Sequence, residues 1–203
     1  MSKLLEMLFG GRDTPYDDII HLSKNGNPTV VNEIASGFSD NDYFYFDNSL
    51  NTPFEFKIKL KLTTKPTQGE MYGFLGHSNM YGIMSIGVRK WTDNIRKVDV
   101  NLSTNSSSWN IADQQGTVAL NLNEWFYCKL AFNGTQYKSE ISFDDINYTQ
   151  NTLSNSSLYI NNGNQLRICL GKGRQSGWSF SVGQIDFNKT RFTKNGIVYK
   201  FEI

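Results

Sequence analysis

The chain has 203 residues, a formal net charge of +1 and 14% aromatic residues. A charge so close to zero provides no overall field that would attract nucleic acid or an anionic membrane, so neither is expected as a partner. No segment approaches the roughly 20 consecutive apolar residues that cross a bilayer, so no membrane insertion is expected. The first residues lack the basic-then-apolar order of a secretory signal, so we do not expect secretion by that route.

The first 28 residues predict an arm outside the main domain. Four apolar residues near the start can share one face of a short helix, which Gly10 and Gly11 would end. A helix of two or three turns is not stable alone in water, so it has to dock either on its own domain or on a partner. We expect residues 1–28 to mediate assembly, including a homo-oligomer. The four apolar residues are Leu4, Leu5, Leu8 and Phe9.

From Thr29 onward the pattern is that of short strands separated by polar turns. Phe54–Leu62 gives the clearest alternation, with apolar residues on one face and Lys57, Lys59 and Lys61 on the other. We expect the apolar face to be core and the lysine face to be solvated or at a sheet edge. The other predicted strands recur at spacings of roughly 8–15 residues, as β-sandwiches show. They are Thr29–Ala35, Tyr43–Phe46, Met71–Leu75, Gly82–Val88, Lys97–Leu102, Thr117–Leu122, Ser157–Ile160, Gln165–Leu170, Phe180–Phe187, Thr190–Lys194 and Ile197–Ile203.

A central hairpin is predicted over Leu122–Asp145. Asn133-Gly134 is the dipeptide that most strongly signals a two-residue type I′ turn, because both residues tolerate a positive φ. The apolar residues that precede the turn share one face, and those that follow it, through Phe143, share one face too. One side of the hairpin is therefore a core surface that a second sheet has to cover. Trp125 is expected in or near this core.

Two cysteines, Cys128 and Cys169, lie in separate predicted strands. Cys128 lies on an apolar face, whereas Cys169 is out of phase with Ile168 and Leu170. We expect two free thiols, as in a protein from a reducing compartment, and not a disulfide framework.

Three groups of segments carry a resemblance when they are taken in order. The first group is Ala35-Ser-Gly-Phe-Ser with Asp42-Tyr-Phe-Tyr-Phe and Phe54-Glu-Phe-Lys-Ile. The second group is Trp125-Phe-Tyr-Cys-Lys-Leu with Asn133-Gly134 and Asp144-Asp145. The third group is Leu166-Arg-Ile-Cys-Leu-Gly with Gly183-Gln-Ile-Asp-Phe-Asn-Lys-Thr-Arg-Phe and Asn195-Gly-Ile-Val-Tyr. Together they resemble the concanavalin A-like lectin/glucanase jelly roll, in its laminin-G-like branch. The resemblance implies an all-β, two-sheet antiparallel jelly-roll β-sandwich over residues 29–203.

The closing pattern looks especially like laminin-G-like modules of bacteriophage tail, baseplate and head-appendage proteins. This resemblance implies a virion protein, made in the host cytoplasm, that binds host-surface carbohydrate during adsorption. It also implies other virion proteins as partners of the N-terminal arm. The alternative is a purely structural capsid or tail decoration protein that stabilises neighbouring subunits. The fold alone does not decide, because this sandwich carries lectins, glycosidases, lyases and scaffolds.

The sequence does not contain the carboxylate set of an enzyme of this superfamily. Retaining glucanases of the superfamily carry Glu-x-Asp-x-Glu on one strand, so that nucleophile and acid/base converge. The nearest match is Glu140-Ile-Ser-Phe-Asp144, in which Ser142 stands where the middle carboxylate belongs. We expect no catalytic residues, and only convergence of Glu140 and Asp144 in a cleft would change that expectation.

Sugar binding is the function for which the sequence offers candidate residues. Sugars present apolar ring faces and many hydroxyls, so their sites combine an aromatic platform with amides, carboxylates or guanidinium groups. Four loop-like stretches contain this mixture, namely His77–Tyr81, Arg89–Asn94, Trp109-Asn110 and Lys172–Trp178. Trp178 is the preferred platform because a glycine-rich loop precedes it. The alternative for each tryptophan is a packing anchor on the rim of the sandwich. The candidates are Trp91 with Asp93 and Asn94, Trp109 with Asn110, and Trp178 with Arg174.

One oxygen-rich turn raises the question of Ca²⁺. Asp40, Asp42, Asp47 and Asn48 supply the kind of ligand that Ca²⁺ prefers, but about seven oxygens have to converge. Ordinary turn capping by the same side chains is the alternative. The sequence supports no metal or other cofactor.

Overall fold

The computed structural model describes residues 18–50, 52–64, 71–77, 84–90, 96–102, 111–154, 166–172 and 183–203. All regular elements in these ranges are strands, and the same ranges contain no helix long and apolar enough to cross a membrane. The strands are β1 (Asp18–His21), β2 (Ser23–Asn25), β3 (Thr29–Val31), β4 (Ile34–Ser36), β5 (Tyr43–Asn48), β6 (Phe54–Leu62), β7 (Met71–His77), β8 (Met84–Lys90), β9 (Arg96–Leu102), β10 (Ile111–Gln115), β11 (Trp125–Phe132), β12 (Tyr137–Ser142), β13 (Thr149–Ser154), β14 (Leu166–Leu170), β15 (Gly183–Lys194) and β16 (Ile197–Glu202).

The described strands form two sheets. Sheet I has the order β1-β16-β15-β6-β11-β12-β13, with β4 pairing with β15 and β3 with β4. Sheet II has the order β10-β9-β8-β7-β14-β5-β2. Neighbouring strands are antiparallel, apart from the parallel pair β1–β16. The predicted two-sheet antiparallel jelly roll is confirmed.

The core lies between the sheets and is rich in phenylalanine. Residues of β6 alternate strictly between buried and half-buried, as the sequence predicts. The Phe56 and Phe192 rings of sheet I stack with centroids 4.6 Å apart. Phe46 of sheet II reaches across to Phe192 at 5.6 Å and to Phe201 at 5.3 Å. Buried aromatic side chains remove large apolar areas from water, and they hold the two sheets face to face.

The central hairpin forms as predicted, but its turn is of another kind. Strand β11 ends at Phe132 and β12 begins at Tyr137, so four residues connect them. Gly134 has a φ of 109°, whereas Asn133 is not among the residues with positive φ. The Asn133 side-chain oxygen instead accepts hydrogen bonds from the amides of Thr135 at 3.0 Å and Gln136 at 2.9 Å. Side-chain capping, not a type I′ turn, fixes this connection.

The predicted boundary at residue 28 is wrong. Asp18–His21 pairs with β16 and Ser23–Asn25 pairs with β5, so these residues belong to both sheets and not to an arm. Leu22 lies between the two strands, is buried, and donates its amide to the Glu202 carbonyl at 2.7 Å. These two strands have only four and three residues, and the chain passes from one sheet to the other between them. Strands of this length are too short to show a period, so the sequence pattern does not predict them. Residues 1–17 lie outside the described part of the chain.

Three further local predictions are wrong. Thr29–Ala35 is a tight hairpin and not one strand, because Asn32 and Glu33 adopt φ values of 50° and 64°. Thr117–Leu122 is irregular and follows the strand β10. Phe143 is exposed because β12 ends one residue earlier, so it lies in the next turn and not on the core face. The predicted strand Ser157–Ile160 lies outside the described residues.

Candidate functional site

The outward face of sheet II carries a polar and aromatic wall along β5 and β14. Core residues alternate with outward ones on both strands, and the outward ones include Tyr45, Asp47 and Arg167. The Arg167 guanidinium lies 4.2 Å from the centroid of the Tyr45 ring. Its Nε is 3.6 Å from Asp47 Oδ1, and both charged side chains are more than 40% exposed, at 42% and 47%. The wall therefore offers solvent a cation, a carboxylate and a phenol within one small area.

Tyr43 extends this wall toward the end of the sheet where β14 stops. Its ring centroid lies 6.2 Å from that of Tyr45. Lys172 places its Nζ 4.8 Å from the Tyr43 ring and donates to the Asp40 carbonyl at 2.5 Å. Burial raises the pKa of Tyr43, so its phenol stays protonated at neutral pH and can donate a hydrogen bond. Lys172 is itself buried, and so the wall is fixed in place on this side.

The centre of the same outward face is nearly free of side chains. Gly73 pairs with Gly87, and Gly76 pairs with Cys169. The register places all four on the face opposite the core, and all are buried. Because glycine has no side chain, neighbouring glycines lower this part of the surface relative to the wall of β5 and β14. The result is a floor with a wall on one side.

A second polar row borders this floor on β9. Asp99 pairs with Gly87 and lies on the outward face, since Val98 and Val100 on either side of it are in the core. Asp99 is fully buried, and Asn101 on the same face is 6% exposed. Buried carboxylates and amides are normally held by hydrogen bonds or charged partners. The outward face of sheet II is thus bordered by Asp99 and Asn101 on one side and by the tyrosines on the other.

All the candidate sugar contacts predicted from the sequence lie outside the described residues. The strands that flank them can be described. Residues 91–95 connect β8 to β9, residues 103–110 connect β9 to β10, and residues 173–182 follow β14 and Lys172. Every one of these stretches is attached to sheet II. The residues concerned are Trp91, Asp93, Asn94, Trp109, Asn110, Arg174 and Trp178.

The outward face of sheet I has a different composition. The register of β6 and β11 places Trp125 opposite Lys61 and Tyr127 opposite Lys59. The Nζ of Lys61 lies 4.7 Å from the Trp125 ring centroid, and the Nζ of Lys59 lies 5.0 Å from the same centroid. This lysine face points outward as predicted, but β6 is a central strand and the aromatic rings of β11 leave the lysines half-buried.

Trp125 is not in or near the core, where it is expected from the sequence. The structure puts it half-buried on the outward face of sheet I and not in the core. Phe126 and Cys128, which alternate with it, are the inward residues. The sequence does indicate the outward position of Trp125. Side chains alternate between the two faces of a strand, and Trp125 is out of phase with the inward residues Phe126 and Cys128.

Two of the three lysines on β6 form ion pairs. Lys57 Nζ lies 2.9 Å from Asp145 Oδ2, and Lys59 Nζ lies 2.9 Å from Asp186 Oδ2. The Tyr148 hydroxyl also donates to Asp145. Burial by itself raises the pKa of Asp145, but the hydrogen bonds from Tyr148 and Lys57 outweigh it and hold this pKa below its ordinary value. Two of the cations on this face are therefore neutralised by carboxylates.

The two carboxylates considered for catalysis are occupied by other contacts. Glu140 lies opposite Lys129 and forms an ion pair with Lys138 at 2.5 Å. Asp144 lies in the turn after β12 and accepts hydrogen bonds from the Asn147 amide at 2.8 Å and the Ser142 hydroxyl at 2.8 Å. These bonds hold the pKa of Asp144 far below its ordinary value, so it is ionised at neutral pH and cannot act there as a general acid.

The oxygen-rich turn considered for Ca²⁺ directs its side chains to protein partners. Asp42 accepts the Asn27 amide at 2.7 Å, and the Ser39 hydroxyl donates to the same carboxylate. Asp47 faces Arg167, and the Asn48 side-chain oxygen accepts from Lys194 at 3.0 Å. Across the described ranges, no group of three or more His, Cys, Asp or Glu side chains is placed to hold a metal ion.

Both cysteines are buried free thiols. They lie in different sheets, Cys128 on β11 and Cys169 on β14. Burial raises the pKa of each thiol to about 12, so neither is a thiolate at neutral pH.

Comparison with known proteins finds similar structures but no family model and no curated protein of similar sequence. No protein-family model matches the chain, and no curated protein matches it. The metal-free VIP36 exoplasmic/lumenal domain matches with a TM-score of 0.56 at 10% identity, covering 92% of this chain and 94% of that one. Its Ca²⁺/Man-bound form matches with a TM-score of 0.56 at 10% identity, covering 92% and 93%.

A bacteriophage structure also matches. The enzymatically active domain of tailspike protein 2 from Bacteriophage CBA120 has a TM-score of 0.59 at 6% identity, covering 87% of this chain and 29% of that one. The SAP-like pentraxin from Limulus polyphemus has a TM-score of 0.50 at 10% identity, covering 84% and 74%. The chain adopts the concanavalin A-like jelly-roll fold. At these identities the likeness shows the fold alone.

Proposed function

We propose that this protein is a carbohydrate-binding module and not an enzyme, and that it binds glycan on the outward face of sheet II. The observation that carries the proposal is the arrangement of that face, with a glycine floor between the Tyr45–Arg167 wall and the row of Asp99 and Asn101. In this proposal the sugar contacts the exposed Asp47 and Arg167 side chains beside Tyr45, because the glycines, Cys169 and Asp99 are buried. Phenol, guanidinium and carboxylate groups at the borders of the floor are of the kinds that form hydrogen bonds with sugar hydroxyls.

The structural relatives support this reading of the fold. The VIP36 exoplasmic/lumenal domain has a form with Ca²⁺ and Man bound, and it covers nearly the whole of this chain. The tailspike likeness supports the proposed setting, a bacteriophage virion protein that meets host-surface carbohydrate during adsorption. In this setting the chain is made in the host cytoplasm and incorporated into the particle.

The stretches attached to sheet II supply the remaining contacts in this proposal. Trp178 is the proposed stacking platform, with Arg174 beside it in sequence. It follows Lys172, whose ammonium is already fixed against Tyr43 at one end of the floor. Trp91 and Trp109 belong to stretches that join β8 to β9 and β9 to β10, the strands that carry Gly87 and Asp99. Glycan contacts from any of these stretches would extend the same face.

The N-terminal residues have a separate role in this proposal. Residues 1–17 join the protein to copies of itself or to other virion proteins, because their apolar side chains need a partner surface. The chain enters the sandwich at Asp18 on β1, an end strand of sheet I.

Glycan-array binding of wild-type protein and two surface variants tests the proposal. Arg167→Ala and Tyr45→Ala remove the described wall of sheet II, while Lys200→Ala on sheet I is the matched control, since Lys200 is 41% exposed and Arg167 is 42% exposed. We expect the two wall variants to lose about tenfold in affinity for array-positive glycans, and the control to bind as wild type. Array binding that is absent in the wild-type protein would instead favour a purely structural decoration role.

A further inference from the structure

Lys61 lies on the outward face of sheet I and has no carboxylate partner among the described residues. Lys57 and Lys59 are paired with Asp145 and Asp186. Lys61 is on the same face of the same strand, and its contact among the described residues is the Trp125 ring, 4.7 Å from its Nζ. A cation over an aromatic ring keeps its full charge and its hydrogen-bond donors. Lys61 therefore leaves one unneutralised positive charge at this point of the sheet.

The residues around Lys61 are those of a binding site for a polar ring. The register places Trp125 on one side of Lys61 and Gln184 on the other, and both are half-buried on the outward face. The Lys59–Asp186 pair lies one step along the same strands, where its carboxylate can accept hydroxyl hydrogens. Half-buried tryptophan offers apolar area to a ring face, and amides and carboxylates satisfy hydroxyls.

Tyr127 adds a hydrogen-bond donor on the same strand as Trp125. Its ring centroid lies 5.8 Å from the Lys59 Nζ. Burial is the main cause that raises the pKa of Tyr127, so the phenol remains protonated at neutral pH. The cluster thus joins one free ammonium, one aromatic platform, one amide, one phenol and one shared carboxylate.

We propose that this cluster of Lys61, Trp125 and Gln184 binds a carboxylate-bearing sugar residue, such as a uronic acid within an acidic polysaccharide. Lys61 pairs with the sugar carboxylate, and Trp125 contacts the ring. Charge complementarity selects the ligand class, because the Lys61 ammonium matches the one carboxylate that each such ring carries. Asp186 can accept the hydroxyl hydrogens of a sugar ring, which the ionised side chains of an acidic peptide do not offer. The site lies on the sheet opposite to the proposed glycan face and is independent of it.

Nuclear magnetic resonance titration with two matched probes tests the site. Trigalacturonic acid carries carboxylates, and its trimethyl ester has the same rings without the charge. We expect the acid to shift the Trp125 indole and the amides of Lys61 and Gln184 in a saturable way, and the ester to bind at least about tenfold more weakly. Lys61→Gln should weaken binding of the acid by about tenfold, whereas Lys189→Gln, an exposed lysine on β15, should leave it unchanged.

Several results would overturn the proposal. One is the absence of saturable shifts at Trp125, Lys61 and Gln184 at millimolar trigalacturonic acid. Another is equal binding by acid and ester, which would remove the role of the charge. Equal binding of an oligoglutamate peptide would identify the site as one for acidic peptides instead. Lys61 is on the surface, so the Lys61→Gln variant is expected to fold, and a wild-type melting temperature confirms that its binding can be interpreted.

Discussion

Lys57 on β6 and Asp145 in the turn after β12 form an ion pair, with Nζ and Oδ2 2.9 Å apart, that connects two parts of sheet I separated by 88 positions in sequence. Asp145 has a φ of 63°, a conformation that asparagine and aspartate tolerate better than most residues. The turn that connects β12 to β13 is thus fixed to the central strand of its own sheet.

Asp145→Asn is expected to cost about 1 kcal/mol of unfolding free energy at neutral pH, because the pair is only partly buried and the backbone conformation is preserved. The pKa of Asp145 is lower in the folded protein than in the unfolded chain. Its contribution is therefore complete above the unfolded value of about 4 and is lost as the pH falls through the folded value. Urea unfolding of both proteins as a function of pH measures the difference.

Asp47→Asn is the control for this comparison. Asp47 also faces a cation, but its pair with Arg167 is 3.6 Å long and largely exposed, so its removal should change stability by well under about 1 kcal/mol. A difference between wild type and Asp145→Asn that persisted at acidic pH would show that the ion pair is not its cause.

Gly171→Ala is expected to destabilise the protein more than Gly196→Ala. Both glycines have positive φ, 85° and 76°, so alanine is strained at each by about 1 kcal/mol. A Cβ at Gly171 would lie 2.2 Å from Phe38 Cδ1, whereas none of the atoms around Gly196 comes within 4 Å. The difference between the two unfolding free energies, measured in urea, isolates the crowding. Equal losses would mean that Phe38 moves aside freely.

Deletion of residues 1–17 is expected to leave a folded sandwich that no longer assembles. Deletion of residues 1–28 is expected to lower the melting temperature as well, because it removes β1 and β2 from the two sheets. Light scattering and thermal unfolding of the two truncated proteins test this pair of outcomes. Assembly that is unchanged after removal of residues 1–17 would show that this segment has no such role.

Trp178→Ala is expected to reduce glycan binding at little cost in stability, and Trp91→Ala and Trp109→Ala test the same idea in the other two stretches. A tryptophan that is a packing anchor would instead cost about 3–5 kcal/mol when truncated. Melting temperature and array binding of the three variants separate the two roles. Three destabilised proteins with unchanged binding per folded molecule would make all three tryptophans anchors.

Much of the fold could be predicted because long strands repeat their alternation. Phe54–Leu62 shows its two faces over nine residues, and the structure reproduces them one by one. Strands as short as Ser23–Asn25 or Thr29–Val31 span less than two periods, so pairing and turn geometry determine them and the local pattern does not.

The candidate site was harder to predict for a different physical reason. The glycine floor depends on strands β7, β8 and β14 meeting side by side, and neighbours across a sheet are distant in sequence. Gly73, Gly76 and Gly87 give no signal one at a time. The position of Trp125 could have been predicted, because the alternation of Phe126, Cys128 and Leu130 places it outward. The expectation of a tryptophan in or near the core ignored this phase.

A map of backbone amide shifts, recorded while the protein is titrated with a neutral glycan that is positive on the array, locates the bound glycan on the molecule. We expect saturable shifts on sheet II, at Tyr45, Arg167 and Cys169, and none at Lys57 on sheet I. Saturable shifts confined to sheet I, or the absence of any glycan that binds, would contradict glycan binding on the outward face of sheet II.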